Sequence, residues 1–95
     1  MRSHQYRVTL EHIAPSKPGE PVHETPLSFA ATNHDDLFAI IERIQGKQAF
    51  DADTSASLAL GLKLLGEVML LNRDHPLFED IKGPYRDFIG KIKAL

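Results

Sequence analysis

The stretch Leu58-Ala59-Leu60-Gly61-Leu62-Lys63-Leu64-Leu65-Gly66-Glu67-Val68-Met69-Leu70-Leu71 decides how this chain must fold. It is apolar almost all the way round a helix, broken only by Lys63, Glu67 and two glycines. A helix with so little polar surface needs cover on nearly every side. In a chain of 95 residues it is therefore read as the central, buried helix of one domain spanning 1–95, extending over about 53–72. Lys63 and Glu67 are spaced i, i+4 and predict one narrow solvated stripe. Gly61 and Gly66 lie about 140° apart around a helix of 3.6 residues per turn. They predict close approaches on two different sides, since each costs about 1 kcal/mol against alanine in a helix interior.

N-terminal to this stretch the period changes. Tyr6, Val8, Leu10 and His12 alternate with Arg7, Thr9, Glu11 and Ile13, as in a half-buried strand. Pro15, Pro18, Gly19 and Pro21 then break regular structure, and Leu27, Phe29 and Ala31 alternate again. Residues 1–32 thus predict an antiparallel β-hairpin with a long proline-rich loop. Residues 33–95 predict a helical layer. Asn33 is placed as a helix cap, with Asp35 and Asp36 in the first turn and Leu37, Ile40, Ile41 and Ile44 forming one apolar face. Gly46 is the expected stop, and Asp51 or Asp53 caps the central helix. His75-Pro76 opens a short helical turn ending near Gly83. Pro84 opens a last helix with the stripe Tyr85, Phe88, Ile89 and Ile92. The fold class is α+β: a hairpin laid on about three helices and a short turn.

Three stretches carry a resemblance: Asn33-His34-Asp35-Asp36-Leu37, the run Gly61 to Leu70, and Pro76-Leu77-Phe78. Through them the chain resembles a small bacterial family of uncharacterised proteins, domain-of-unknown-function family 3861, over nearly its whole length. The resemblance implies a short, stand-alone protein. It implies no activity, so it transfers no catalytic residue.

Composition excludes several classes. With no cysteine there is no disulfide, thiolate metal site or cysteine nucleophile. The net charge of −2 argues against nucleic acid as a general partner. Charge is unevenly spread: acids crowd residues 33–57 and bases crowd 82–95, so the two could face each other within or between chains. The polar start Met1 to Thr9 lacks the apolar core of a signal peptide, which predicts a cytoplasmic protein. Leu58–Leu71 falls short of the roughly 20 residues of a bilayer span and carries two charges, so no membrane insertion is expected.

Candidate chemistry is sparse. His4, His12 and His23 on the hairpin would bind a metal only if they converged, and their spacing matches no ligand motif. Asp51-x-Asp53-x-Ser55 resembles the start of a calcium loop but has Ala56 and Leu62 where glycine and glutamate belong. Gly46-Lys47 is followed by Gln48 rather than the Ser or Thr of a phosphate loop. No catalytic residue, cofactor or metal site is therefore assigned, and an enzyme is not expected. A two-stranded sheet with free edges and an over-apolar helix predict self-association as a homodimer, with an unidentified protein as a further partner. The alternative is a small-ligand pocket between hairpin and helices, lined by Tyr6, His12, Phe29 and Tyr85.

Overall fold

Two strands lead into helices in the order expected. The computed structural model describes residues 2–95: strands β1 (His4–Leu10) and β2 (Leu27–Asn33), helices α1 (Leu37–Gly46) and α2 (Ala52–Leu71), a single 3-10 turn at Pro76–Phe78, and helix α3 (Lys82–Lys93). The strands pair antiparallel in one register, His4 opposite Asn33 through Leu10 opposite Leu27. Period-2 alternation then places Tyr6, Val8, Leu10, Leu27, Phe29 and Ala31 on one face, as the sequence reading has it.

Helix boundaries follow local chemistry. Asp51, rather than Asp53, caps α2, its Oδ1 accepting the Thr54 N–H at 2.7 Å. His75 caps the 3-10 turn, its Nδ1 accepting the Leu77 N–H at 3.1 Å, with Pro76 next. Two boundaries differ from expectation. Asn33 does not cap α1; Asp36 does, accepting from Phe38 and Ala39. Helix α3 begins at Lys82, ahead of Pro84. Proline is tolerated there because first-turn N–H groups have no acceptor inside the helix. The turn after α1 is made by Gln48, in the left-handed region at φ 57°, not by Gly46.

The core lies between the three helices. Ile44 of α1, Ala59 of α2 and Ile92 of α3 are buried together, with Ile40, Ile41, Leu58 and Leu62 packed around them. Lys47 closes the far end, its Nζ donating to the Lys93 and Leu95 carbonyls at 3.1 Å each. The acidic 33–57 and basic 82–95 stretches make no ion pair with each other among the described residues; the two ion pairs, His34–Glu67 and Lys63–Asp35, lie elsewhere.

Cover of α2 is incomplete, above all at its C-terminal end, which corrects the expectation of a helix buried all round. Ser55, Ala59, Glu67 and Met69 are its buried residues, whereas Val68 is 48% and Leu71 63% exposed. The hairpin is the reason. Its Asn33 end meets α2, while its far end projects past the helices and leaves Leu10 65%, Leu27 60% and Phe29 45% exposed. Dimensions of 43 × 32 × 28 Å and a radius of gyration of 15.7 Å record this shape. A compact chain of this length has about 12 Å. At 20 residues α2 is also longer than its apolar stretch and, by length and composition, long and apolar enough to cross a bilayer. Here its polar side chains fasten it to the rest of the chain.

Candidate functional site

The densest polar structure sits where β2 turns into α1 and meets α2. Asn33, the last residue of β2, is 2% exposed. Its Nδ2 donates to the Lys63 carbonyl at 3.0 Å, and its Oδ1 accepts the Asp35 N–H at 3.0 Å. That second bond folds the chain back on itself, the local turn that Asn favours. His34 follows. Its Nδ1 lies 2.8 Å from Glu67 Oε1, and its backbone N–H donates to the same oxygen at 3.4 Å. Asp35 Oδ2 pairs with Lys63 Nζ at 2.6 Å. The Lys63 hydrogen bond and charge hold the Asp35 carboxyl below the usual carboxylate range, against partial desolvation.

Two tyrosines brace this junction from opposite sides. The Tyr6 hydroxyl donates to the Asp35 carbonyl at 3.3 Å and accepts the Leu37 N–H at 3.0 Å. The Tyr85 hydroxyl donates to the Leu62 carbonyl at 2.6 Å. Burial, with the Asp35 charge nearby, raises the Tyr85 phenol above its usual value. A Cβ on Gly66 would collide with that hydroxyl, so Gly66 makes the close approach predicted for it. Gly61 does not: nothing lies within 4 Å of the space a Cβ there would fill.

Lys63 and Glu67 are thus not a solvated stripe. Glu67 is 8% exposed and Lys63 is tied to Asp35. Spacing alone identified the pair, but which way it faced depended on where the hairpin docked. A shallow cleft of about 260 Å³ opens here, bordered by His34, Asp35, Lys63, Glu67 and Tyr85. Glu67 Oε2 is buried without a partner. The cluster is an anchor first: seven side chains lock β1, β2, the start of α1, α2 and α3 to one another.

The residues proposed for a ligand pocket do not meet. Tyr6 and Tyr85 are committed to the junction through their hydroxyls. Phe29 is half exposed on the projecting sheet. His12 lies at the hairpin's far end, in an open cleft with His23, Leu10 and Leu27. Its Nδ1 accepts the His23 N–H at 2.9 Å, and the two rings sit 5.3 Å apart. His4 is at the other end of β1, stacked on Tyr6. Among the described residues no group of three or more His, Cys, Asp or Glu is placed to hold a metal ion. A separate apolar cavity of about 310 Å³ lies over the core between α1, α2 and α3, floored by Ile40, Ile44, Ala59, Leu62 and Ile92. The Lys63–Asp35 pair also lines it, and Arg43, Lys47 and Lys93 stand at its rim. These three rim cations sit at or just past helix C-termini, where the dipole favours cations.

Comparison with known proteins agrees with this picture of architecture without assigned chemistry. No curated protein matches the chain. A solved structure, a protein of unknown function from Pectobacterium atrosepticum SCRI1043, is similar over 99% of this chain and 100% of its own, with 35% identity and a TM-score of 0.82. The family described as a Domain of Unknown Function with solved structure, DUF3861, matches residues 4–94, and the chain belongs to that family.

Proposed function

We propose that this chain is a non-enzymatic interaction module that works as a homodimer, with a bacterial, cytoplasmic setting. One observation carries the reading: the accessible surface is 7603 Å² for a 10.6 kDa chain. A compact monomer of that mass exposes about 5,500 Å². The surplus of about 2,100 Å² per chain is what an obligate homodimer interface removes from each partner. Much of it is apolar, from Leu10, Ile13, Leu27, Phe38, Val68 and Leu71. The bacterial setting is supported by the similar bacterial structure. Light scattering across a concentration series tests the dimer. The expected mass is twice the 10.6 kDa of one chain, and a single-chain mass at every concentration refutes it.

Small-ligand binding is the second reading, favoured by the 310 Å³ cavity over the core. Its size is at the lower end for ligand pockets. A thermal-shift screen with small apolar carboxylates, matched to the cationic rim, tests it; a flat response across the screen removes it.

A further inference from the structure

We propose that two copies of this chain join through the free edge of β2, forming one continuous four-stranded sheet in the order β1-β2-β2-β1. This deepens the homodimer reading and rests on it.

The sheet has two strands, so each has one edge without a strand partner. On that edge every second residue directs its N–H and C=O away from the paired strand. Among the described residues, no backbone group of Leu27–Asn33 bonds outside the hairpin. Folded proteins guard such edges with charge, proline or a bulge. β1 carries Arg7 and His4. β2 reads Leu-Ser-Phe-Ala-Ala-Thr-Asn over seven residues, with no charge and no proline, and pairs with β1 without a bulge. Of the two edges, β2 is the unguarded one.

A two-fold axis perpendicular to the sheet at Ala30 sets the partner strand antiparallel. Ala30 then faces its own copy, Phe29 faces the partner's Ala31, and Leu27 faces the partner's Asn33. Each of these pairs lies on one face, because the side-chain period is two. The consequence concerns the overhang. Leu27 and Phe29 are exposed because their own helices stop short of them, whereas Ala31 and Asn33 lie over the helical layer. Antiparallel pairing brings the uncovered half of each strand beside the covered half of the other. Each copy's helices then extend the floor beneath the other's overhang. Four strands also form a sheet of ordinary stability, which two do not.

The absence of cysteine makes the test direct. Single variants Ala30→Cys on β2 and Arg7→Cys on β1 both point to the outer face. Residues directly opposite across a strand pair have Cβ atoms about 5 Å apart, within reach of a disulfide after small adjustment. Oxidation is expected to link Ala30→Cys into a covalent dimer on a non-reducing gel and to leave Arg7→Cys as single chains. Ala30→Lys, which sets two like charges face to face, is expected to raise the dissociation concentration about fivefold or more while the circular dichroism is unchanged. If the wild-type chain is a dimer but Ala30→Cys fails to link, or Arg7→Cys links instead, the edge assignment is overturned and self-association stands. If the wild-type chain is a monomer at every concentration, both fall. Should Ala30→Lys not fold, the cysteine pair still decides.

Discussion

A carboxylate buried as deeply as that of Glu67 has to be held by hydrogen bonds, and His34 supplies two, from its ring and from its backbone. Glu67→Ala strips both donors of their acceptor and is expected to cost about 2–4 kcal/mol in urea unfolding. Lys63→Ala breaks a pair whose Asp35 side chain is half exposed. Screening limits that loss to about 0.5 kcal/mol. Gly66 offers a sharper comparison. Gly66→Ala is expected to destabilise the chain because its new Cβ meets the Tyr85 hydroxyl, and Tyr85→Phe in the same chain should recover part of the loss. Gly61→Ala, with open space around it, should gain up to about 1 kcal/mol from helix propensity if that face stays uncovered. Tyr85 also titrates late. Burial raises its folded pKa above the unfolded 10.0. Its contribution is therefore fully present below pH 10 and is lost as pH climbs through the higher folded value. An ultraviolet titration of the wild type should show a late-ionising tyrosine phase, and Tyr85→Phe should abolish it.

At the scale of elements, the turn from β2 to α1 separates a cap from an anchor. Asp36 ends the strand-to-helix turn by accepting two N–H groups, an ordinary cap, and Asp36→Ala should cost about 1 kcal/mol. Asn33 both donates across to α2 and accepts within the turn. Asn33→Asp keeps the acceptor but loses the donor to the Lys63 carbonyl, inside a buried site. A helix cap tolerates that exchange; here thermal unfolding should show a loss of about 1–3 kcal/mol. An unchanged midpoint for Asn33→Asp would return the residue to a capping role. The apolar face of α1 and the strand alternation were legible in the sequence because each is set by the period of its own element. The role of Asn33 was not, because capping and anchoring use the same side chain and differ only in what lies across the gap.

For the whole molecule, surface and shape are linked. In the proposed homodimer, the surface of about 2,100 Å² that each chain exposes beyond what its mass requires becomes the source of added stability. Its thermal midpoint should therefore rise with protein concentration, as mass action demands when the partner binds only the folded chain. A midpoint constant over a hundredfold range of concentration would contradict the dimer. The hairpin's projecting half should then be the first part to lose order on dilution, read as faster amide exchange at Leu27–Phe29 than at Ala31–Asn33.

By itself the sequence determined the α+β class, the hairpin and its shared face, and the order and approximate bounds of the helices. Each follows from periodicity or capping chemistry, which act over a few neighbouring residues. Only the tertiary structure decided that Lys63 and Glu67 face the hairpin junction, that Gly61 lies open, that Tyr6, His12, Phe29 and Tyr85 stand apart, and that the hairpin overhangs its helices. Those depend on the angle and reach at which separate elements dock. Docking is governed by surfaces far apart in the chain, and the spacing of residues within one element holds no record of it.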